Sequence, residues 1–380
     1  AATELLKSLD CDIPPSRLAG SLRVGDQQLI EIAKALSLNS RILVMDEPTS
    51  ALTEAEVERL YRVIAKLRSK GTTILYISHK MDEVFHLSDR ITVLRDGQFI
   101  ATRNAKETNA GEITKLMVGR DIESLDLGPR SSRGKKVLEV RNLSLEWPGH
   151  ARGYRLKDIS LELYQGEVLG IAGLMGAGRT ELLECLFGAS SLPPTGEIIL
   201  DGVPIMPRHP SQAKRAGLAL VTEDRKRLGV FNSMNVGQNI SMCSLHEAAA
   251  GPLLSSSRER RLSDSMVSKL RIKTAGLTPP IGSLSGGNQQ KCIVGRWLLT
   301  HPKVLLLDDP TRGVDVGAKA ELYRIIRGLC SEGIAVIVTS SELPEILTLS
   351  DRIMVLNEGR QSALFTREEA TQSKIIQAAT

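Results

Sequence analysis

The chain has 380 residues, 42% hydrophobic and 24% charged, with 32 Gly and 16 Pro, values of a two- to three-domain globular protein that exclude disorder, collagen and coiled coil as overall descriptions. Its 49 basic residues barely exceed the 44 acidic ones and aromatics are 3%, so a net charge of +5 is no nucleic-acid footprint and no nucleic-acid partner is expected. Five scattered cysteines without C-x-x-C spacing point to a reducing compartment, and no apolar run approaches the ~18 residues of a membrane span.

In chain order, the stretches 41–45 and 72–78 read as strands apolar on both faces, as in a buried parallel sheet. Between them 54–69 has a helical pattern, ended by Gly71. A polar stretch rich in Gly, Ser and Arg over 119–136 reads as a linker. Next come a strand pattern from Val137, a strand over 167–172 and a helix over 181–187. Helical patches follow between 225 and 282, with a low-complexity run at 248–251. The pattern then returns: strand 303–307, helix 318–330 ended by Gly333, strand 334–339. Such alternation predicts an α/β fold with a mostly parallel sheet.

That return is a repeat. Shifting the chain by 262 residues aligns 20–97 with 282–359 without a gap, and 28 of the 78 positions are identical. A period of this length marks tandem domains rather than a solenoid. The register divides the chain into the back part of a first copy (1–118), the linker (119–136) and a nearly complete second copy (137–380). The start of the first copy would fall upstream of Ala1, and the chain opens without an initiator Met.

Three motifs carry chemistry. Gly173-Leu-Met-Gly176-Ala-Gly178-Arg179-Thr180 matches G-x-x-x-x-G-K-[ST] except that Arg179 stands for Lys. Its glycines let backbone N–H groups and a helix N-terminus face a phosphate, and Thr180 can offer a hydroxyl to Mg²⁺. Arg179 can pair with phosphate, though a planar fork does not replace a compact ammonium freely; a plain Gly-rich strand–helix turn is the competing reading. Asp46-Glu47 and Asp308-Asp309 each close an apolar strand before Pro-Thr. The first acid of each pair is placed to hold Mg²⁺ and the second to orient or deprotonate a water. Two solvated acids at a strand end would look the same in one copy, but recurrence in both lowers that alternative. Finally, Leu284-Ser285-Gly286-Gly287-Asn288-Gln289-Gln290 reads as a helix start with Ser285 as its cap.

Taken together, LSGGNQQK (284–291), DDPTRGVD (308–315), GLMGAGRTEL (173–182), TEDRKRLGV (222–230), MDEPTSAL and ISHKMDEV resemble the ATP-binding-cassette ATPases. Within them the chain is similar to the fused two-cassette subunits of bacterial sugar importers (the ribose, galactose, xylose and arabinose class), and the resemblance covers essentially the whole chain. It implies a P-loop α/β fold, ATP and Mg²⁺ as ligands, and a second cassette in cis or trans as partner. It further implies membrane permease subunits gripped through the helical subdomain of 225–282 and the loop at Glu223, and indirectly a solute-binding protein. The location implied is cytoplasmic, peripheral on the inner face of the membrane.

In such proteins each ATP lies between the phosphate loop of one cassette and the signature of the other. The resemblance then sorts the residues by site. One site has Gly173, Gly176, Gly178, Arg179, Thr180 and Asp308, with Glu223 where Gln usually senses the metal, Asp309 for the catalytic Glu and Ser341 for His. The signature facing it is the degenerate Leu22-Arg23-Val24-Gly25-Asp26. Every departure falls in this site, which is expected to bind ATP and turn it over slowly or not at all. The other site joins Asp46, Glu47 as general base and His79 at the γ-phosphate to Ser285, Gly286 and Gly287. The phosphate loop it needs would lie upstream of Ala1. Asp315 and 50–53 match the loop that crosses between cassettes, and Tyr154 is a weaker candidate for stacking on adenine. Two alternatives stand beside the importer: a soluble tandem cassette protein acting on ribosomes, and a truncated, non-hydrolytic ATP-binding remnant. The short linker and Arg179 count against the first.

Overall fold

The computed structural model describes residues 3, 6, 13–22, 24–38, 40–49, 52, 54–78, 80–95, 97–118, 133–147, 154–250 and 253–380. They group into two units, Ala1–Leu125 and Asp126–Thr380. In the first, helix Val24–Ser37 precedes strand β1 (Ile42–Asp46), and helix Glu54–Ser69 joins it to β2 (Thr73–Ile77). The two strands pair in parallel, Ile42 beside Thr73 and Asp46 beside Ile77. A short helix, Met81–Leu87, leads to the antiparallel hairpin β3 (Arg90–Arg95) and β4 (Gln98–Asn104), and helix Ala110–Val118 follows.

The second unit runs β5 (Lys136–Glu146), β6 (Tyr154–Tyr164), β7 (Val168–Gly173), β8 (Thr195–Leu200), β9 (Val203–Ile205) and β10 (Leu218–Val221). After these come the two-residue pair β11 (Ala249–Ala250) and β12 (Leu253–Leu254), then β13 (Val304–Asp308), β14 (Ala335–Thr339), β15 (Arg352–Asn357) and β16 (Arg360–Thr366). The main sheet has the order β10-β13-β14-β7-β15-β16, parallel except for the last pair. A second, antiparallel sheet has the order β6-β5-β8-β9. Two cores sandwich the main sheet. Leu305, Leu307, Val336 and Val338 pack with the helices Gly286–Leu298 and Val316–Ser331. On the other face Val304, Leu306 and Ile337 pack with helix Arg179–Phe187 and the antiparallel sheet.

The elements of the first unit recur in the second at the 262-residue offset seen in the sequence. Strands β1, β2, β3 and β4 map onto β13, β14, β15 and β16, and helix Glu54–Ser69 maps onto Val316–Ser331. One expectation fails. Strands β1 and β2 were expected to be buried on both faces, yet Ile42, Val44, Leu75 and Ile77 are 61, 59, 56 and 51% exposed. Their counterparts Val304, Leu306, Ile337 and Thr339 are at most 1% exposed. The inner-face residues Leu43 and Met45 do pack, against Leu29, Ile32, Leu60 and Ile64 of the two helices. Among the described residues of unit one, nothing plays the part of helix Arg179–Phe187 on the other face. Nor does a strand lie between β2 and β3, which belong to separate sheets, whereas β7 lies between β14 and β15.

Of the expected linker, 119–132 lie outside the described residues. The rest already joins unit two: Gly134 N–H donates to the Gln165 carbonyl and Arg133 pairs with Glu167. Between 225 and 282 the helices Val236–Ser241 and Ser256–Lys269 form, and part of the low-complexity run becomes β11.

Candidate nucleotide site

The Gly-rich run forms the expected strand–loop–helix. Strand β7 ends at Gly173, and helix Arg179–Phe187 starts after Gly178, which takes the N-cap position without a side-chain cap. The first-turn N–H groups therefore point into the loop, the arrangement that binds an anion. Gly178 has φ +97°, and a Cβ there would come within 2.7 Å of Leu156 and 3.2 Å of the Arg155 carbonyl. No other residue fits this approach to β6 without displacing it.

Strands β7 and β13 bring the loop and the acids to one edge of the sheet. The Thr180 hydroxyl lies beside Asp308, which accepts from Thr339 Oγ1 at 2.7 Å. Asp308 is buried, and burial pushes its carboxyl above the ordinary range despite the Thr339 bond, Thr180 and the nearby Arg179. Burial likewise raises Asp309, with Ser341 acting in the opposite direction. Asp309 and Glu47 share a further feature: each sits at φ +44°, a left-handed conformation uncommon outside glycine and enriched where a site imposes it. Each N–H bonds the neighbouring strand, Glu47 to the Ile77 carbonyl and Asp309 to Thr339. The turn therefore aims the second acid of both pairs in the same way.

Arg179 does not project freely. Its Nη1 donates to the Ser340 carbonyl at 2.5 Å, tying the phosphate loop to the segment that contains Ser341. Glu223, just beyond β10, forms an ion pair with Arg312. Arg225 donates to the Gly313 carbonyl, and a Cβ on Gly286 would lie 2.7 Å from its guanidinium. The Glu223 loop, the start of helix Gly286–Leu298 and the loop after the acids thus meet at one place.

Ser285 takes the N-cap position, but the expected cap is not made. Its hydroxyl accepts from the Asn288 side chain at 2.9 Å, which leaves the first-turn N–H groups without a side-chain acceptor. A Cβ at Gly287 would sit 2.4 Å from that of Ala318, so this glycine sets how closely two helices pack.

In unit one, Asp46 ends β1 and Glu47 follows it. His79, Arg23, Ser50, Ala51 and Thr53 lie outside the described residues, as does the Tyr154 side chain. Sequence reasoning missed a different aromatic. Trp147, just past β5, is half exposed, with the Arg155 guanidinium 4.8 Å from its ring centre. Arg155 also lies 3.9 Å from Glu181 in the phosphate-loop helix. One signal pointed to it: a lone Trp ending the strand hairpin that precedes the loop.

Among the described residues, no helix is long and apolar enough to cross a membrane. The sequence profile of the ABC transporter family matches residues 156–312, which contain the phosphate loop, the Ser-Gly-Gly run and both acids of unit two. A xylose import ATP-binding protein of Moorella thermoacetica is 49% identical over 379 residues, covering 100% of this chain and 75% of that relative. A ribose import ATP-binding protein of Geobacillus kaustophilus is 46% identical, with the same coverage. Among solved structures, a Clostridium perfringens subunit of an ABC transporter complex superposes with TM-score 0.53 at 24% identity, covering 63% of this chain and 92% of that one. On the strength of these relatives, matched along the whole of this chain, and of the phosphate-loop geometry, the chain belongs to the ABC transporter family of ATP-binding proteins.

Proposed function

We propose that this protein is the ATP-binding subunit that energises import of a sugar or sugar-like solute through separate permease subunits fed by a solute-binding protein. The observation that carries the nucleotide part is the buried Asp308 carboxylate beside Thr180 at the mouth of an uncapped helix N-terminus. A hydroxyl beside a buried carboxylate fits a Mg²⁺ ion that arrives with a triphosphate and keeps most of its water. Thr180 and Asp308 would hold that ion, which neutralises charge on the phosphates. Gly173, Gly176, Gly178 and Arg179 cradle the phosphates, and Trp147 offers the adenine a stacking face.

We read residues 1–118 as the back of a first cassette, 119–136 as a linker and 137–380 as a second cassette. The 262-residue recurrence of elements and the shared +44° turn at Glu47 and Asp309 support this. In the second cassette Asp309 is one methylene shorter than Glu47, and its burial-raised carboxyl belongs to an ATP-holding site of low turnover. Glu47 and His79 would serve hydrolysis when a phosphate loop of their own cassette, together with Ser285, Gly286 and Gly287 of a partner cassette in cis or trans, completes their site. Permease contact falls to the helical region 225–282 and the Glu223 loop, which keeps the protein on the inner face of the membrane. The test is uptake into vesicles carrying the permease encoded with this chain. ATP-dependent uptake of a pentose or hexose that is lost with Glu47→Gln is expected. Sustained ATP binding with no uptake of any sugar would overturn the carbohydrate assignment.

A further inference from the structure

Each unit buries a glutamate that the site does not use, Glu83 in the first and Glu345 in the second, 262 residues apart. Glu83 accepts from Thr49 at 2.5 Å, Tyr76 at 2.9 Å and Ser78 at 3.2 Å, with the Lys80 amine at 3.2 Å. Glu345 accepts from Thr311 at 2.5 Å and Ser340 at 2.7 Å, with the Lys319 amine at 3.0 Å and the buried Tyr323 phenol nearby. Both carboxylates are therefore ringed by Thr, Ser, Tyr and Lys.

The four donors have different histories. Thr49 and Thr311 match in the repeat, as do Ser78 and Ser340. The other two do not match. The counterpart of Lys319 is Val57, and the counterpart of Lys80 is Glu342. The counterpart of Tyr76 is Val338, whereas Tyr323, on the helix that also carries Lys319, matches Tyr61 of unit one. The cation has been lost from one place and supplied from another, around an unchanged carboxylate. A buried charge left unpartnered is costly, so the relocated cation marks a requirement for the charge itself.

The location says what the charge does. Thr49 and Thr311 stand two residues after Glu47 and Asp309, whereas Ser78 and Ser340 come immediately before His79 and Ser341. Each carboxylate thus ties the turn that holds the second acid to the segment that enters the γ-phosphate switch. In unit two Arg179 reaches the same segment through the Ser340 carbonyl, which links phosphate loop, acid turn and switch through one hub.

We propose that Glu345 and Glu83 are positioning residues that hold acid turn and switch in fixed register, so that a γ-phosphate is read by both together. This rests on the reading that unit two binds MgATP. The repeat itself supplies the rescue variant: Lys319→Val removes the hub cation, and Lys319→Val with Glu342→Lys rebuilds the arrangement of unit one. MgATP and MgADP affinities of the full chain are measured by calorimetry beside melting temperatures. Lys319→Val should reduce the preference for MgATP over MgADP roughly tenfold, the loss of one charge-assisted bond. The double variant should restore it to within about threefold. A melting temperature that falls while the preference is unchanged would overturn the proposal, as would a double variant no better than the single one. Amide exchange over 309–314 and 339–342 in nucleotide-free protein reads the hub without ATP: both segments should quicken together in Lys319→Val and slow again in the double variant. If wild-type protein bound no MgATP, the nucleotide reading would fail by itself, and exchange rates unmoved by Lys319→Val would still overturn the hub.

Discussion

Replacing Arg296 by Met tests whether the helix bearing the Ser-Gly-Gly run is fastened to the Glu223 loop. Arg296 is buried, and its Nε donates to the Asn239 carbonyl at 2.6 Å, its Nη1 to the Gly229 carbonyl at 2.7 Å and its Nη2 to Asn239 Oδ1 at 2.9 Å. Methionine keeps most of the aliphatic stem and loses all three donors. Asn239 Oδ1 would still accept from Phe231 N–H, so two backbone carbonyls are stranded. At about 1–3 kcal/mol for each unsatisfied group, the gross loss is about 2–6 kcal/mol. Relief of the buried guanidinium's desolvation offsets part of it. A net destabilisation of about 2–4 kcal/mol lowers the melting temperature of a unit this size by roughly 5–15 °C. Calorimetric melting measures the shift, and amide exchange should quicken first at 229–241. A melting temperature within 2 °C of wild type, or a higher one, would refute the reasoning by showing that apolar packing replaces the guanidinium without loss.

Three other outcomes follow from the same accounting. Because burial raises the folded Asp308 carboxyl, its ionisation destabilises the nucleotide-free protein at neutral pH, and the penalty vanishes as pH falls below the unfolded value; Asp308→Asn should raise the melting temperature without nucleotide and shrink the gain from MgATP. At Glu83 burial opposes ionisation, but hydrogen bonds from Thr49 and Tyr76 and the Lys80 ammonium outweigh it and hold the carboxyl below its ordinary value. Its contribution is complete above the unfolded carboxylate pKa of about 4.3 and is lost as pH falls through the lower folded one, so Glu83→Gln should flatten the acid limb of unit one's stability profile in melts over about pH 3–7. Gly287→Ala must push apart two helices whose Cβ positions would be 2.4 Å apart, and should cost about 1–3 kcal/mol in denaturant unfolding.

The parts legible in the sequence were those with local pattern. Apolar runs ending in paired acids marked β1 and β13, and the glycines between strand and helix marked the phosphate loop. Self-alignment found the repeat that strands β1 to β4 follow bound for bound. The exposed face of β1 was illegible because an apolar run such as Ile42 to Met45 reads as buried on both faces whether or not another element covers it. Ser285 had the right residue type for a cap, but Asn288 takes its hydroxyl. The Glu345 hub was hidden for another reason: its donors come from three elements up to 34 residues away, and a buried ion pair leaves no periodicity. Trp147 needed the fold of β5 and β6 to bring it near the loop.

The account rests most directly on unit two as a MgATP-holding site, and calorimetric titration of the nucleotide-free chain with MgATP tests it. One equivalent should bind, and Arg179→Ala, with its melting temperature preserved, should weaken that binding at least about tenfold, since a charge-assisted phosphate contact is lost. No binding by the wild-type chain, or an affinity that Arg179→Ala leaves unchanged, would contradict it.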